Sequence, residues 1–310
     1  MGVIDKLANK LNTTKNDVAF FLFDAPKKYK VYTIPKRSYG HRVIAQPSKK
    51  LKEYQRAFLE LYQFPHHENS MAYSHGKSIK DNAEIHRKQR YLLKMDLENF
   101  FNSITPEVFW NAWSKFNPLP EENDKEWIER LLFWQPRTTK SKDLKLSVGA
   151  PSSPSISNFC MYFFDEIVAE YCQKESVYYT RYADDLTFST NKKNILSSIP
   201  SVIKSKLKEC FEHRLVINQR KTKFSSKAHN RHVTGITISN DEKLSLGRER
   251  KRYIKHLVHQ FQLNKLDQVE IRHLQGMISF ARHIEPMFIS SLTKKYSETL
   301  IQRIIEANNE

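Results

Sequence analysis

Apolar positions in the first 25 residues fall at Ile4, Leu7 and Leu11, then at Val18, Phe20, Phe21 and Leu22 beyond a Thr13-Thr14 break, a spacing that predicts two short helices. Residues 29 to 47 alternate apolar and polar on either side of Ser38-Tyr39-Gly40, the pattern of a two-stranded hairpin. Leu51 to Tyr62 is amphipathic, whereas Ala72 to Ser78 has a loop's composition, with too few glycines to cradle phosphates. Tyr91-Leu92-Leu93-Lys94-Met95-Asp96 is an apolar run ending in an acid and predicts a buried strand. Phe109, Trp110, Trp113 and Phe116 predict a helix before a polar Pro120-Glu121-Glu122-Asn123 break, and their rings read as core rather than as a surface for stacking bases. Pro154 to Lys174 reads as one long helix with a wide apolar face, and Ile199 to His213 as another. Beyond Gly247 the pattern is helical to the end in three segments, with Pro286 marking a break.

The chemistry concentrates where this pattern is β-like. Val177 to Ser189 holds Asp184-Asp185 between two arms rich in aromatic and β-branched residues, which predicts a hairpin with both carboxylates at its tip. Two adjacent anions repel by roughly 1 kcal/mol in water and by more near a low-dielectric surface, so a divalent cation would make sense of them. The plain alternative is a solvated Asp-Asp turn. For Asp96 the alternatives are a helix N-cap or an exposed strand end. If the Asp96 strand end lay beside the hairpin, three carboxylates would form a cage of hard oxygen donors for two Mg²⁺ ions, the arrangement that serves in-line phosphoryl displacement.

Composition narrows the partners. The 310 residues carry 51 Lys and Arg against 34 Asp and Glu, a formal charge of +17, which favours polyanions without selecting among them. At 39% hydrophobic and 12% aromatic residues the chain can bury a core, so disorder is excluded. Cys160, Cys172 and Cys210 are odd in number and lack C-x-x-C spacing, which argues against a disulfide framework or a zinc site and fits a reducing cytoplasm. No apolar run nears the roughly 18 residues of a membrane span. The N-terminus lacks a signal-peptide core, and Lys6 stands where a myristoylation signal wants Ser or Thr, so no membrane partner is expected.

The Asp96 strand, Gly149-Ala150-Pro151-Ser152-Ser153-Pro154 and Tyr182-Ala183-Asp184-Asp185, in that order, resemble the catalytic blocks of reverse transcriptases. Asn82-Ala83-Glu84-Ile85-His86 and Val233-Thr234-Gly235 resemble the two family-specific segments of retron reverse transcriptases. The resemblance runs from about Tyr32 to the end. It implies an α+β fold of right-hand polymerase architecture: an N-terminal helical extension (1–28), fingers with a family-specific insertion (29–90), the first catalytic strand of the palm (91–105), a fingers–palm connection (106–148), the palm proper with an antiparallel sheet backed by helices (149–240), and a helical thumb (241–310).

Carried over residue by residue, the resemblance makes Asp96, Asp184 and Asp185 the catalytic, metal-binding triad, with the Leu97 carbonyl as a further ligand and two Mg²⁺ per site. Phe101, five residues beyond Asp96, falls where the family keeps a ring that excludes a 2′-hydroxyl; a core Phe is the other reading. Lys36, Arg42 and Lys221 correspond to groups that approach the triphosphate, a guanidinium offering a fixed fork of donors, though most such cations are merely solvated. Gly149 and Pro151 would shape the nucleotide pocket, and Tyr182, Gly247 and Arg248 would seat primer and template. Asn82, His86, Thr234, Gly235, Arg250, Lys251 and Arg252 correspond to RNA-facing positions, although a turn Asn or a tight-turn Gly explains the first four as well. One departure stands out: Val148 occupies the position before Gly149 where these enzymes usually carry Gln.

The implied function is RNA-directed DNA synthesis of retron type, copying part of a cognate structured non-coding RNA from an internal 2′-hydroxyl into a branched RNA–DNA hybrid (msDNA). The implied setting is defence against phage, with dNTP substrates, the RNA and its RNA–DNA product, and a separate effector protein as partners. A group II intron or diversity-generating reverse transcriptase, or an idle RNA-binding scaffold of the same fold, are the alternatives.

Overall fold

The computed structural model describes residues 1–35, 40–136 and 143–307. The chain begins with α1 (Val3–Lys10), which buries Val3, Leu7 and Ala8 on one face, and α2 (Lys15–Phe23), whose first turn is capped by Thr14 Oγ1 accepting from the Asp17 N–H at 3.1 Å. The antiparallel pair β1 (Tyr29–Pro35) and β2 (His41–Pro47) follows, then α3 (Lys49–Leu61), the short α4 (Ile79–His86), β3 (Tyr91–Asp96) and the single turn α5 (Phe100–Ser103).

Next come α6 (Pro106–Trp113) and α7 (Glu122–Leu132). The break expected at residues 120–123 is present but ends earlier than expected: Pro120 and Glu121 precede α7, while Glu122 and Asn123 already belong to its first turn, where Glu122 and Asp124 sit against the positive end of the helix dipole. The single helix expected over Pro154–Lys174 is two, α8 (Ser153–Cys160) and α9 (Tyr162–Glu175), interrupted at Met161. The hairpin β4 (Tyr178–Tyr182) and β5 (Asp185–Thr190) leads to α10 (Ile199–Phe211) and then to the short strands β6 (Lys223–Ser226), β7 (Arg231–Val233), β8 (Ile236–Ile238) and β9 (Leu244–Ser245). The tail holds α11 (Arg248–Gln262), α12 (Gln268–Ile284), α13 (Pro286–Tyr296) and α14 (Glu298–Glu306) rather than three helices. Pro286 opens α13, where its missing N–H costs nothing. One sheet runs β4-β5-β3-β6 and another β7-β8-β9, so the fold is α+β.

The chain divides into two compact units, one of residues 1–77 and 93–223, the other of 78–92 and 224–310. Residues 78–92, grouped by the sequence reading with the segment 29–90, thus cluster with the C-terminal strands and helices. The first unit has an aromatic core in which Phe109, fully buried, meets Trp113, Phe133 and Phe159 edge-on and Phe64 at a tilt, so these rings are packing. In the second, Val233, Ile236, Leu257, Leu274 and Ile301 share one apolar core with Ala83 of α4.

Within that second unit the two family-specific segments hold each other. Thr234 and Gly235 form the two-residue link between Val233 and Ile236, both with positive φ (+46° and +80°), as a mirror-image hairpin turn requires. Thr is a poor fit for that conformation, and its hydroxyl is anchored: it donates to the Ile79 carbonyl at 3.2 Å and accepts from Asn82 Nδ2 at 3.5 Å. Asn82 and His86 are both fully buried, and burial pushes the His86 imidazole down to about 3, so it is neutral. The assignment of these two side chains to RNA contact is therefore corrected: they face the interior because α4 packs against β7, β8 and β9.

Candidate active site

The hairpin is a two-residue one, with Tyr182 paired to Asp185. The two acids therefore do not share the tip as expected: Ala183 and Asp184 form the turn, and Asp185 opens β5. Ala183 has φ +56°, the left-handed value that the first loop position of such turns demands at a cost of roughly 1–2 kcal/mol for a side chain bearing Cβ. Arg181 offsets that strain. Its Nη1 donates to the Ala183 carbonyl at 3.1 Å and to Asn158 Oδ1 at 3.1 Å, its Nη2 reaches Ser70 Oγ at 3.2 Å, and Nε and Nη2 grip both oxygens of Asp165 at 2.8 and 2.6 Å. Tyr179 donates to the same Asp165 at 2.7 Å and stacks on Phe188, its cross-strand partner. A charge buried in this way is permissible because every one of its donors is used.

The strand β3 delivers Asp96 to the turn. The Leu97 N–H donates to the Asp184 carbonyl at 2.9 Å, while the Asp96 carbonyl accepts from the Asn218 N–H at 2.8 Å and Leu97 bridges Ile217. Asp96 is only 5% exposed, and its Oδ2 takes Lys221 Nζ at 2.7 Å from the turn Gln219–Lys221. Burial first, then the charges of Asp185 and Asp96, push the Asp184 carboxyl up to about 6. Asp185 is raised as well, by burial first, with Lys94 opposing. The three acids are therefore brought within electrostatic reach. Among the described residues, however, no three acid, His or Cys side chains already converge as a ligand set, since like charges repel and Asp96 is turned to Lys221.

Beside the acids lies a pocket of about 280 Å³, lined by Tyr73, Phe101, Val148, Gly149, Pro151 and, from α3, Lys52 and Arg56. Phe101 is half-buried and edge-on to Phe100, so its ring is a pocket wall rather than core. Gly149 has φ +125°, and a Cβ there would come within 3.4 Å of the Ala45 carbonyl, which explains the glycine. Val148 presents no polar side chain; its carbonyl accepts from the Ala45 N–H at 3.1 Å, tying this loop to β2. Arg42 is exposed on β2 and acts electrostatically on Tyr73. Lys36 lies outside the described residues.

Sequence reasoning missed Tyr73, Lys52 and Arg56. Tyr73 has φ +59°, and burial, then Asp184, raises its phenol. The one available signal was a lone aromatic in a polar loop. Lys52 and Arg56 are four apart on α3, a spacing that marks one helix face but not what it faces. A larger pocket of about 610 Å³ lies between α10 and residues 213–222 and contains none of the acids.

In the second unit Gly247 has φ +81° and caps α11, with Thr237 Oγ1 2.9 Å from where a Cβ would stand. Arg248 and Arg252 are exposed. Lys251 instead pairs with Glu285 at 2.5 Å, and Arg250 lies over the Phe280 ring and reaches the Gly235 carbonyl. Among the described residues no helix is long and apolar enough to cross a membrane.

Residues 34–238 match the family described as reverse transcriptase (RNA-dependent DNA polymerase). The chain is 50% identical to the Retron Ec83 reverse transcriptase of Escherichia coli over 89% of each chain, and 32% identical to the Retron Ec73 reverse transcriptase of Escherichia coli, again over 89% of each. Among solved structures, a telomerase from Candida albicans in complex with a fragment of telomeric RNA is similar at a TM-score of 0.48 and 13% identity, covering 86% of this chain and 56% of that one. This chain thus spans about half the length of that solved chain. The chain belongs to the retron reverse transcriptases, RNA-directed DNA polymerases.

Proposed function

We propose that this enzyme copies part of a cognate structured non-coding RNA into DNA, primed from the 2′-hydroxyl of an internal guanosine, and leaves a branched RNA–DNA hybrid. We assign it to the cytoplasm, in a defence against phage executed by a separate effector protein. The observation that carries the catalytic part is the junction of the Asp96 strand end with the acid hairpin, where the Leu97 N–H donates to the Asp184 carbonyl at 2.9 Å and Asp185 follows in the chain, near the Phe101 pocket. In this reading residues 29–77 serve as fingers, the β4-β5-β3 region as palm, and α11–α14 as thumb.

The acids offer hard oxygen donors in a desolvated, mutually repelling set, which fits divalent cations. Asp96, Asp184 and Asp185, with the Leu97 carbonyl, would hold two Mg²⁺ ions, whose chemistry when bound is to make the primer hydroxyl a better nucleophile and to neutralise the departing pyrophosphate. The chain's own residues position and select. Arg42 and Lys36 clasp the triphosphate, Lys221 approaches it, and the Phe101 ring closes the space a ribose 2′-hydroxyl would need. Gly149 and Pro151 shape the sugar site without an amide at position 148. Tyr182, Gly247 and Arg248 seat the primer end, and Arg252 contacts the nucleic-acid backbone.

The test is DNA synthesis by the purified protein on the RNA encoded beside it, with dNTPs and Mg²⁺. The expected product keeps its 5′ end joined to RNA through a 2′,5′ linkage and is absent with Asp184→Ala. A linear product alone would remove the retron mode of priming, and equal incorporation by both proteins would remove the catalytic assignment.

A further inference from the structure

One cation stands in direct contact with a triad acid. Lys221 Nζ sits 2.7 Å from Asp96 Oδ2, with the lysine side chain 55% exposed and the carboxylate 8%. The Lys221 segment is held there by backbone as well: the Asn218 N–H donates to the Asp96 carbonyl at 2.8 Å, and the Lys221 N–H closes the turn on the Asn218 carbonyl at 3.1 Å. The lysine is thus tethered to the residue whose charge it neutralises, yet its stem lies in water and can swing away at little cost.

We propose that Lys221 is an exchangeable internal counter-ion, competing with the divalent cation for the Asp96 carboxylate, so that metal loading releases the lysine toward the triphosphate side of the site. The inference rests on the metal-binding reading of the triad. Its physical basis is simple. One carboxylate oxygen cannot be neutralised by an ammonium and bound by a metal at once without placing two positive charges in contact. A half-exposed ion pair is weak enough, at roughly 0.2–1 kcal/mol, to be displaced by a dication. Lys221 contributes most where the metal is scarce, holding together three carboxylates that otherwise repel, and its release couples cation binding to the availability of a cation for the incoming nucleotide.

The experiment is Mn²⁺ binding to the nucleotide-free protein, read by electron paramagnetic resonance, together with thermal unfolding with and without Mg²⁺. Parent, Lys221→Met, Lys221→Arg and Asp96→Asn are compared. Lys221→Met is expected to bind Mn²⁺ roughly two- to fivefold more tightly, the factor that losing such a competing pair yields. It should also melt lower than the parent in the absence of divalent ions, the gap closing at saturating Mg²⁺. Lys221→Arg, which keeps the charge, should stay near the parent. Mn²⁺ affinity in Lys221→Met that is unchanged or weaker than the parent's, where the parent's site depends on Asp96, overturns the counter-ion proposal alone. A parent with no Asp96-dependent Mn²⁺ site overturns it together with the metal reading.

Discussion

Two ion pairs flank the Asp184 turn, and they differ in everything but charge. Arg181–Asp165 is wholly buried, with the guanidinium satisfied by Asp165, Asn158, Ser70 and the Ala183 carbonyl. Lys221–Asp96 has one buried and one solvated member and a single contact. The first fixes the turn that carries Asp184; the second leaves Asp96 exchangeable. The contrast teaches how a site that must bind and release cations is built: the charge that shapes the backbone is locked away, and the charge that meets the ligand is held loosely. Arginine suits the first task through its planar fork, lysine the second as a compact point charge on a flexible stem.

The most severe way to break the contrast is at its functional end. Asp96→Asn or Asp184→Asn is expected to cut nucleotide incorporation by about 10³-fold or more, by removing charge from a preorganised site, with the fold intact by circular dichroism. Residual incorporation within tenfold of the parent would contradict the triad. At the structural end, Arg181→Met should lower unfolding free energy in urea by about 3–5 kcal/mol, since Asp165 is left buried and unpaired. Adding Asp165→Leu should recover much of that loss. If the double variant is no better than the single one, the pair is not the source of the destabilisation.

A smaller effect tests selection rather than charge. Phe101→Ala is expected to reduce discrimination against ribonucleotides by roughly 10–200-fold, the range that pocket contacts of this size supply, as measured by the ratio of kcat/KM for dNTP and rNTP. An unchanged ratio would return Phe101 to a packing role. The gentlest probe is pH. The folded chain holds the Asp184 proton up to about 6 against an ordinary 3.8, so the stabilising contribution of that proton is present in full below about 4 and is lost as pH rises through about 6. Without divalent ions, Asp184→Asn should therefore be more stable than the parent by up to about 3 kcal/mol at pH 7.5, and the gap should close near pH 4. A gap independent of pH would show that burial does not act on this carboxyl.

Much of the first unit is legible in the sequence because its signals are local. β3 ends at Asp96, the hairpin forms around Asp184, and Phe109 and Trp113 are core, all from short-range pattern. The misses share one cause. The break at Met161 and the helix at Glu122 depend on what each segment packs against, since α6 meets α8, and α7 meets α1, α2 and α3. Tyr73, Lys52 and Arg56 are ordinary residues until α3 and the 70–77 loop bring them to the pocket beside Phe101. Asn82 and His86 carry a family likeness that says they matter but not which way they point; packing of α4 against β7–β9 buries both and brings Asn82 to the Thr234 hydroxyl.

The sequence by itself determined where the carboxylates, cations and rings lie along the chain, which segments curl and which extend, and the surplus of positive charge. Only the tertiary structure decided which acid keeps which base. Asp165 meets an arginine 16 residues away and Asp96 a lysine 125 residues away. Nothing local distinguishes one aspartate from the other. Burial does, because the cost of removing a charge from water depends on every group that the folded chain gathers around it.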